Sequence, residues 1–307
     1  MKLSLHLPME IDQEQEFQNA KAVKSIAMAA ERAGFGAVNT TDHPAPSEKW
    51  RSGGGHDAYD PFAVLAFMAA VTTRLRLHTH ILVLPYRNPF VTAKCAATVD
   101  VLSEGRLTLG IGSGYLRSEY AAVGASFESR GAAMDEALAV LRLAWSGKPV
   151  TYEGASFKAF GALPRPIPIQ QPLPIWGGGN SKRAIERAAK LCDGYSPFFA
   201  SRALAGTART EELETLDDFK SRVDYLRACL AQNGRTGPFD ILGASPDKRI
   251  GACNASEAER YLESAGSMAR MGCNWMMATL PHPSLAAFLE NIQWAGEELL
   301  PRVGRLS

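Results

Sequence analysis

The strongest constraint on the fold of this chain is an alternation. Eight short segments, several of them nearly all apolar, sit at residues 3–8, 37–41, 75–84, 107–112, 174–176, 194–198, 239–244 and 274–280. Continuous apolar runs of this kind are what parallel strands covered on their outer face require. Helical patterns lie between them. Val23, Ile26, Ala27 and Ala30 recur at helical spacing before the stop signal Gly34; Met134, Leu138, Leu141 and Trp145 repeat it before Gly147 and Pro149. Ser181 is an N-cap candidate for a helix over 182–191, and 285–300 reads as a closing helix. Eight strand–helix repeats predict an α/β fold, a (β/α)8 TIM barrel made by residues 1–307 as one domain, with the doubly wound open sheet as its rival. A chain of this length buries enough surface to need no disulfide or metal staple. Three stretches exceed a minimal barrel: 45–59, 150–171 and 199–216. Each reads either as a lid or substrate loop or as a tolerated surface insertion.

Several function classes are set aside by charge and patterning. The formal net charge is +1 and no dense basic run occurs, so nothing draws the chain to nucleic acid. The longest uncharged run, 271–289, contains Gly272, Pro281, His282 and Pro283, which break a lipid-exposed helix, so no membrane span is expected. The apolar start at Leu3–Leu7 is too short for a signal peptide and reads as a first strand. The five cysteines are widely spaced without a C-x-x-C, the usage of free thiols in a reducing cytoplasm.

In a barrel of this type the chemistry stands at the C-terminal ends of the strands. The second ends in Asp42-His43, a carboxylate beside an imidazole; His43 is a candidate to move a proton and Asp42 to orient it, although such pairs also cap turns. The third carries His78 and His80 on one strand face, as paired metal ligands would be; no second spaced pair and no H-E-x-x-H accompanies them, so packed or cofactor-facing histidines are favoured and no metal is expected. The fourth exits through Gly110-x-Gly112-x-Gly114, which is not a dinucleotide fingerprint; it reads either as a flat space beside a planar ring or as a plain strand exit. The fifth ends in Trp176-Gly177-Gly178-Gly179-Asn180-Ser181 just before a helix. Free N–H groups, the positive end of the helix dipole, Lys182 and Arg183 would together hold a phosphate; the alternative is a tight turn that needs glycine.

Taken together, these residues resemble the luciferase-like monooxygenase superfamily. The resemblance is densest from Leu82 through Gly114, LVLPYRNPFVTAKCAATVDVLSEGRLTLGIGSG, with its Arg-Asn-Pro turn and S-x-G-R-L before a strand. RGAAMDEALAVLRLAWSG and PIWGGGNSKRAIERAAKLCDGY are similar to further family segments. Residues 1–200 carry most of the likeness. Within the superfamily the chain looks most like the branch that uses the deazaflavin coenzyme F420, on the strength of Asp42-His43, with FMN as the alternative coenzyme. The resemblance implies a homodimeric TIM barrel with a bulge and a cis non-proline peptide in the third strand, at His80-Ile81. His80 departs from the family pattern, where smaller residues are common. Carried over by position, Asp42 and His43 lie beside the deazaflavin, Thr79, His80 and Ile81 line the back of its ring, and Gly112, Ser113 and Gly114 border the ring and ribityl chain. Trp176, Gly177, Gly178, Gly179, Asn180 and Ser181 hold the chain and its phosphate. Trp50, Tyr86, Tyr115 and Phe198 are added as pocket candidates.

The activity this implies is hydride transfer between F420 and a small organic substrate. The alternatives are a two-component FMN monooxygenase, a flavin-binding protein without turnover and a metal-dependent hydrolase built on His78 and His80.

Overall fold

The computed structural model describes residues 1–9, 14–244 and 249–306. Ten strands form among them: β1 (Lys2–His6), β2 (Ala37–Thr40), β3 (Arg76–Val83), β4 (Leu107–Gly112), β5 (Val150–Glu153), β6 (Lys158–Ala162), β7 (Ile175–Gly178), β8 (Gly194–Ser196), β9 (Asp240–Gly243) and β10 (Trp275–Ala278). Eight of them close into a barrel in the order β1-β10-β9-β8-β7-β4-β3-β2, and every pairing within it is parallel. The barrel, rather than the open sheet, is therefore the fold, and each expected strand is present with slightly different ends. The stretch 150–171 is no plain loop, because β5 and β6 pair in it as an antiparallel hairpin. The stretch 45–59 contains a short helix, Glu48–Ser52, and 199–216 contains the helix Arg202–Ala208.

The helices follow their local signals. Helix Ala20–Ala33 starts at Asn19, whose side chain accepts from the Ala22 N–H, and stops at Gly34, whose φ of 95° is the left-handed conformation that favours glycine. Its buried face is Ala22, Val23, Ile26, Ala27, Ala29 and Ala30. Helix Lys182–Leu191 is capped by Ser181, which accepts from the Ala184 N–H. The main core lies between this outer ring of helices and the strands.

A second, smaller apolar cluster, Ala37, Trp176, Leu242 and Trp275, comes from four different barrel strands and fills the barrel interior. Gly194 makes this layer fit, since a Cβ there would lie 2.3 Å from the Trp176 ring. At the end away from the expected site, Arg106 of the S-x-G-R-L motif is buried. Its guanidinium donates to the carbonyls of Ala69, Thr72, Leu75 and Ser103, so this motif arginine ties connections together instead of binding a ligand.

Strand β3 breaks the regular alternation. Its register against β4 shifts between Thr79 and Leu82, and the His80-Ile81 peptide is cis, as the resemblance implies. The bulge changes the parity of the strand. The inward positions Gly110, Gly112 and Gly114 face His78, Ile81 and Val83 in turn.

Candidate active site

The mouth of the barrel brings together residues far apart in sequence. His43, just beyond β2, places Nδ1 3.3 Å from Oε2 of Glu119, which lies on the short helix Arg117–Ala122. Glu119 is fully buried and also accepts from the Tyr86 hydroxyl at 2.9 Å and the Ala45 N–H at 3.3 Å. The Glu119 carboxylate only accepts, so the hydrogen bond it shares with His43 places the ring proton on Nδ1 and leaves Nε2 as the nitrogen with the free lone pair. Among the described residues Nε2 makes no hydrogen bond. The ring is enclosed by Trp50 at 4.4 Å, His56 at 5.0 Å and Tyr115 at 6.4 Å between centroids, two of them delivered by the stretch 45–59. Burial and Glu119 push the Tyr86 phenol well up, so it stays a donor.

Asp42 does not orient His43. Its carboxylate forms a bidentate pair with Arg87, Nη1 to Oδ2 at 2.5 Å and Nη2 to Oδ1 at 2.8 Å, and accepts from the Val83 N–H at 2.8 Å. Burial raises the Asp42 carboxyl above its usual value, while the guanidinium and the Val83 N–H pull the other way. Asp42 thus clamps the end of β3 to the Arg-Asn-Pro turn. Glu119 supplies the orientation expected of Asp42, and sequence reasoning missed it: nothing in the spacing of Arg117-Ser118-Glu119-Tyr120 marks one carboxylate as buried under the mouth.

Three histidines occupy the barrel below. His6 Nδ1 pairs with Asn39 Oδ1 at 2.9 Å, and Asn39 donates to Ser4 Oγ at 2.8 Å. His80 Nε2 pairs with Ser196 Oγ at 2.9 Å. Burial pushes the His6 ring down to about 4, opposed by the Asn39 hydrogen bond, and the His80 ring down to about 4, with His6 adding to the effect. Burial also holds His78 well below its ordinary value, and among the described residues neither of its nitrogens has a hydrogen-bond partner. His78 and His80 do lie together, with ring centroids 5.6 Å apart, but among the described residues no group of three or more His, Cys, Asp and Glu side chains could hold a metal ion.

The other expected residues divide. His80 and Ile81 are half-buried and face the mouth, whereas Thr79 is fully buried, its hydroxyl spent on the Gly110 carbonyl at 2.7 Å. Gly112 and Gly114 border β3 side chains rather than open space: a Cβ would lie 2.0 Å from Ile81 Cδ1 and 2.5 Å from Val83 Cγ1 respectively. A flat ligand would therefore meet Ile81, not Gly112. Ser113 is half-buried beside them and its carbonyl accepts from the Tyr120 hydroxyl. Trp176 sits in the barrel interior against His78 and Trp275, at 4.6 and 5.5 Å, and cannot touch a ligand on the turn. Trp50 and Tyr115 surround His43, Tyr86 lies beneath it, and Phe198 stands exposed on the rim.

The turn after β7 spends several of its residues on packing. Gly177 is pressed on the following helix, with a Cβ position 3.0 Å from Ala188 Cβ; Gly178 is wedged beside Ile81 and the Ile111 carbonyl. Asn180 is fully buried and structural: its amide donates to the carbonyls of Phe198 and Glu211 and accepts from the Phe198 N–H. Gly179, at a φ of 112°, lets the turn reach Ser181. Ser181 caps the Ala184 N–H, and among the described residues the N–H groups of Lys182 and Arg183 have no acceptor. An anion seated there would meet free donors at a helix start.

Comparison with known proteins bears on what such a mouth serves. An F420-dependent glucose-6-phosphate dehydrogenase of Gordonia bronchialis is 34% identical over 178 residues, which span 55% of this chain and 50% of that protein. The chain thus covers only half the length of that relative. A protein of the same name from Beutenbergia cavernae is 28% identical over 322 aligned positions, covering 91% of this chain and 92% of its own. A monooxygenase from Streptomyces bottropensis superposes with a TM-score of 0.76 at 20% identity over 98% of this chain and 99% of its own, a likeness of fold alone. The model of the luciferase-like monooxygenase family matches residues 1–246, and the chain belongs to that family.

Proposed function

We propose that the chain is an F420-dependent oxidoreductase in which His43, oriented by Glu119, manages the proton that accompanies hydride transfer to or from a small organic substrate. The observation that carries the reading is the buried His43–Glu119 pair, with its free Nε2, inside a cage of Trp50, His56 and Tyr115. Two relatives named for F420-dependent dehydrogenation support the choice of coenzyme.

The residues present fit a planar coenzyme with an anionic tail. The half-buried face of Ile81 and His80 backs a ring, and the free N–H groups of Lys182 and Arg183 suit a phosphate. When bound, the reduced deazaflavin supplies a hydride to the substrate, or its oxidised form accepts one, and a proton moves in the same sense. The chain does the rest. Glu119 keeps the proton of His43 on Nδ1, so Nε2 can take a proton or, once protonated, give it back. Arg87 and Asp42 fix the loop that carries His43. Trp50 and Tyr115 exclude water around the imidazole. Ile81 keeps the ring off the barrel interior.

Five cysteines, all free, fit a cytoplasmic enzyme, and among the described residues no helix is long and apolar enough to cross a membrane. A homodimer would cover the exposed Val91, Leu102 and Leu143 on the outer helices.

Titration of the purified protein with F420 and with FMN, followed by absorbance and fluorescence, tests the coenzyme. Saturable F420 binding is expected; tight FMN binding with none for F420 overturns the reading. With F420 bound, His43→Ala should lower turnover about 10²- to 10⁴-fold while coenzyme affinity changes little. Equal losses in both would remove the proton role.

A further inference from the structure

The rim between β4 and β7 holds a feature that the hydride-transfer site does not use. Three guanidiniums from three segments converge on one aromatic ring: Arg130 lies 3.9 Å, Arg117 4.2 Å and Arg209 4.9 Å from the centroid of Phe127. Each pair is therefore within about one screening length of salt water, roughly 10 Å at 0.1 M, and the charges repel. The carboxylate present does not balance them. Glu128 pairs with Arg117 at 2.6 Å on the surface, Arg130 donates to the Phe127 carbonyl, and among the described residues Arg209 makes no ion pair. The neighbouring Arg202 and Arg222, by contrast, are each matched with an acid, Glu212 at 3.5 Å and Glu211 at 2.8 Å.

Two further observations point the same way. Arg209 is one of two described non-glycine residues at positive φ, 50°, a backbone state that side chains with a Cβ rarely adopt, and here it carries the guanidinium to the ring. Helix Arg130–Ala144 begins without a side-chain cap at Ser129 and without an acid in its first turn, so its positive end adds to the field. The cluster also adjoins the cradle. Thr210, next to Arg209, accepts from the Asn180 N–H, and Phe127 packs on Tyr120, whose hydroxyl donates to the Ser113 carbonyl at the β4 exit.

The geometry points to a second anion subsite, in which Arg117, Arg130 and Arg209 take the carboxylate-bearing tail that a deazaflavin coenzyme carries beyond its phosphate. This rests on the F420 reading and extends it: the rim, not the ring pocket, distinguishes a polyanionic coenzyme from FMN, whose tail ends at one phosphate. No bond forms or breaks. Phe127 keeps the guanidiniums apart and oriented, and the tail supplies the missing negative charge.

The test is equilibrium binding by fluorescence of three ligands: F420 with a long oligoglutamate tail, F420 with a single glutamate, and the deazaflavin nucleoside core without phosphate or tail. The native chain should bind the long-tailed form tightest, with a preference that shrinks as salt rises from about 50 to about 300 mM. The variant carrying R117Q, R130Q and R209Q should bind the long-tailed form about tenfold more weakly, the order expected for several exposed ion pairs, and bind the bare core as before. R209Q alone, which removes the guanidinium with no ion pair, should show a smaller loss of the same kind. Tail length without effect in the native chain, or equal losses for tailed and bare ligands in both variants, overturns the subsite. Failure of the native chain to bind any deazaflavin overturns the coenzyme reading instead.

Discussion

The two halves of the barrel mouth are built from different materials. All six histidines of the chain, at 6, 43, 56, 78, 80 and 282, belong to the arc around β10, β1, β2 and β3, and none occurs from 81 to 281. That arc places buried side-chain charge and imidazole in fixed partnerships, Asp42 with Arg87 and His6 with Asn39, and takes Glu119 from the helix after β4, across the mouth, as the partner of His43. The opposite arc, from β4 through β7 to β8, works with backbone. Its turn is glycine, its asparagine is bonded to main chain, its donors are helix N–H groups, and its charges are rim arginines. Proton chemistry needs side chains whose partners fix their protonation, so that arc tolerates little change. Holding an anion needs only donors in place, which main chain supplies whatever the side chains are.

The largest expected effect strikes the first arc. Arg87→Ala leaves the Asp42 carboxylate buried without its cation, at a cost of about 3–5 kcal/mol. Urea unfolding measures it, and a loss below about 1 kcal/mol would show that the buried pair does not hold the arc together. Next is acidity. The ring pKa values of His6 and His80 are depressed to about 4 in the folded chain, against about 6.5 when unfolded. The unfolded chain therefore binds more protons between these values, so stability is complete above about pH 6.5 and declines as pH falls toward about 4, by roughly 1–3 kcal/mol per ring. Unfolding midpoints across that window check it, and His80→Asn should flatten the slope; an unchanged slope would place the sensitivity elsewhere. The smallest effect belongs to the second arc. Ser181→Ala removes one cap and should cost about 1 kcal/mol in the same unfolding experiment, leaving the pH slope untouched. A steeper slope in that variant would couple the two arcs and break the comparison.

What could be read from the chain follows the range of the interactions involved. Strand and helix positions are local matters of period and capping, and Ser181 capping the helix Lys182–Leu191 is legible in five or six letters. The place of His43 at the barrel mouth was legible because a residue just past a strand end is a local pattern with a known position in a barrel. Glu119 was not, because its importance comes from meeting His43, Tyr86 and Ala45, residues that lie up to 76 positions away. The same blindness assigned Asp42 to the wrong partner. Sequence adjacency suggested His43, but Arg87 closes on the carboxylate across the β3 end.

The glycines separate the two kinds of knowledge most sharply. The letters at Gly110, Gly112 and Gly114 leave two readings open, a flat space beside a planar ring or a plain strand exit. The tertiary structure decides what lies there: the bulge between Thr79 and Leu82 changes the parity of β3, so His78, Ile81 and Val83 fill those spaces and a ligand does not. Eight strand–helix units, by themselves, narrow the fold to a barrel or its open-sheet rival and mark the strand ends where a site lies, because apolar period and chain connectivity are written along the chain. Which carboxylate serves which imidazole, and where three arginines meet, is decided only when the barrel closes, because those energies depend on distance and burial rather than on order in sequence.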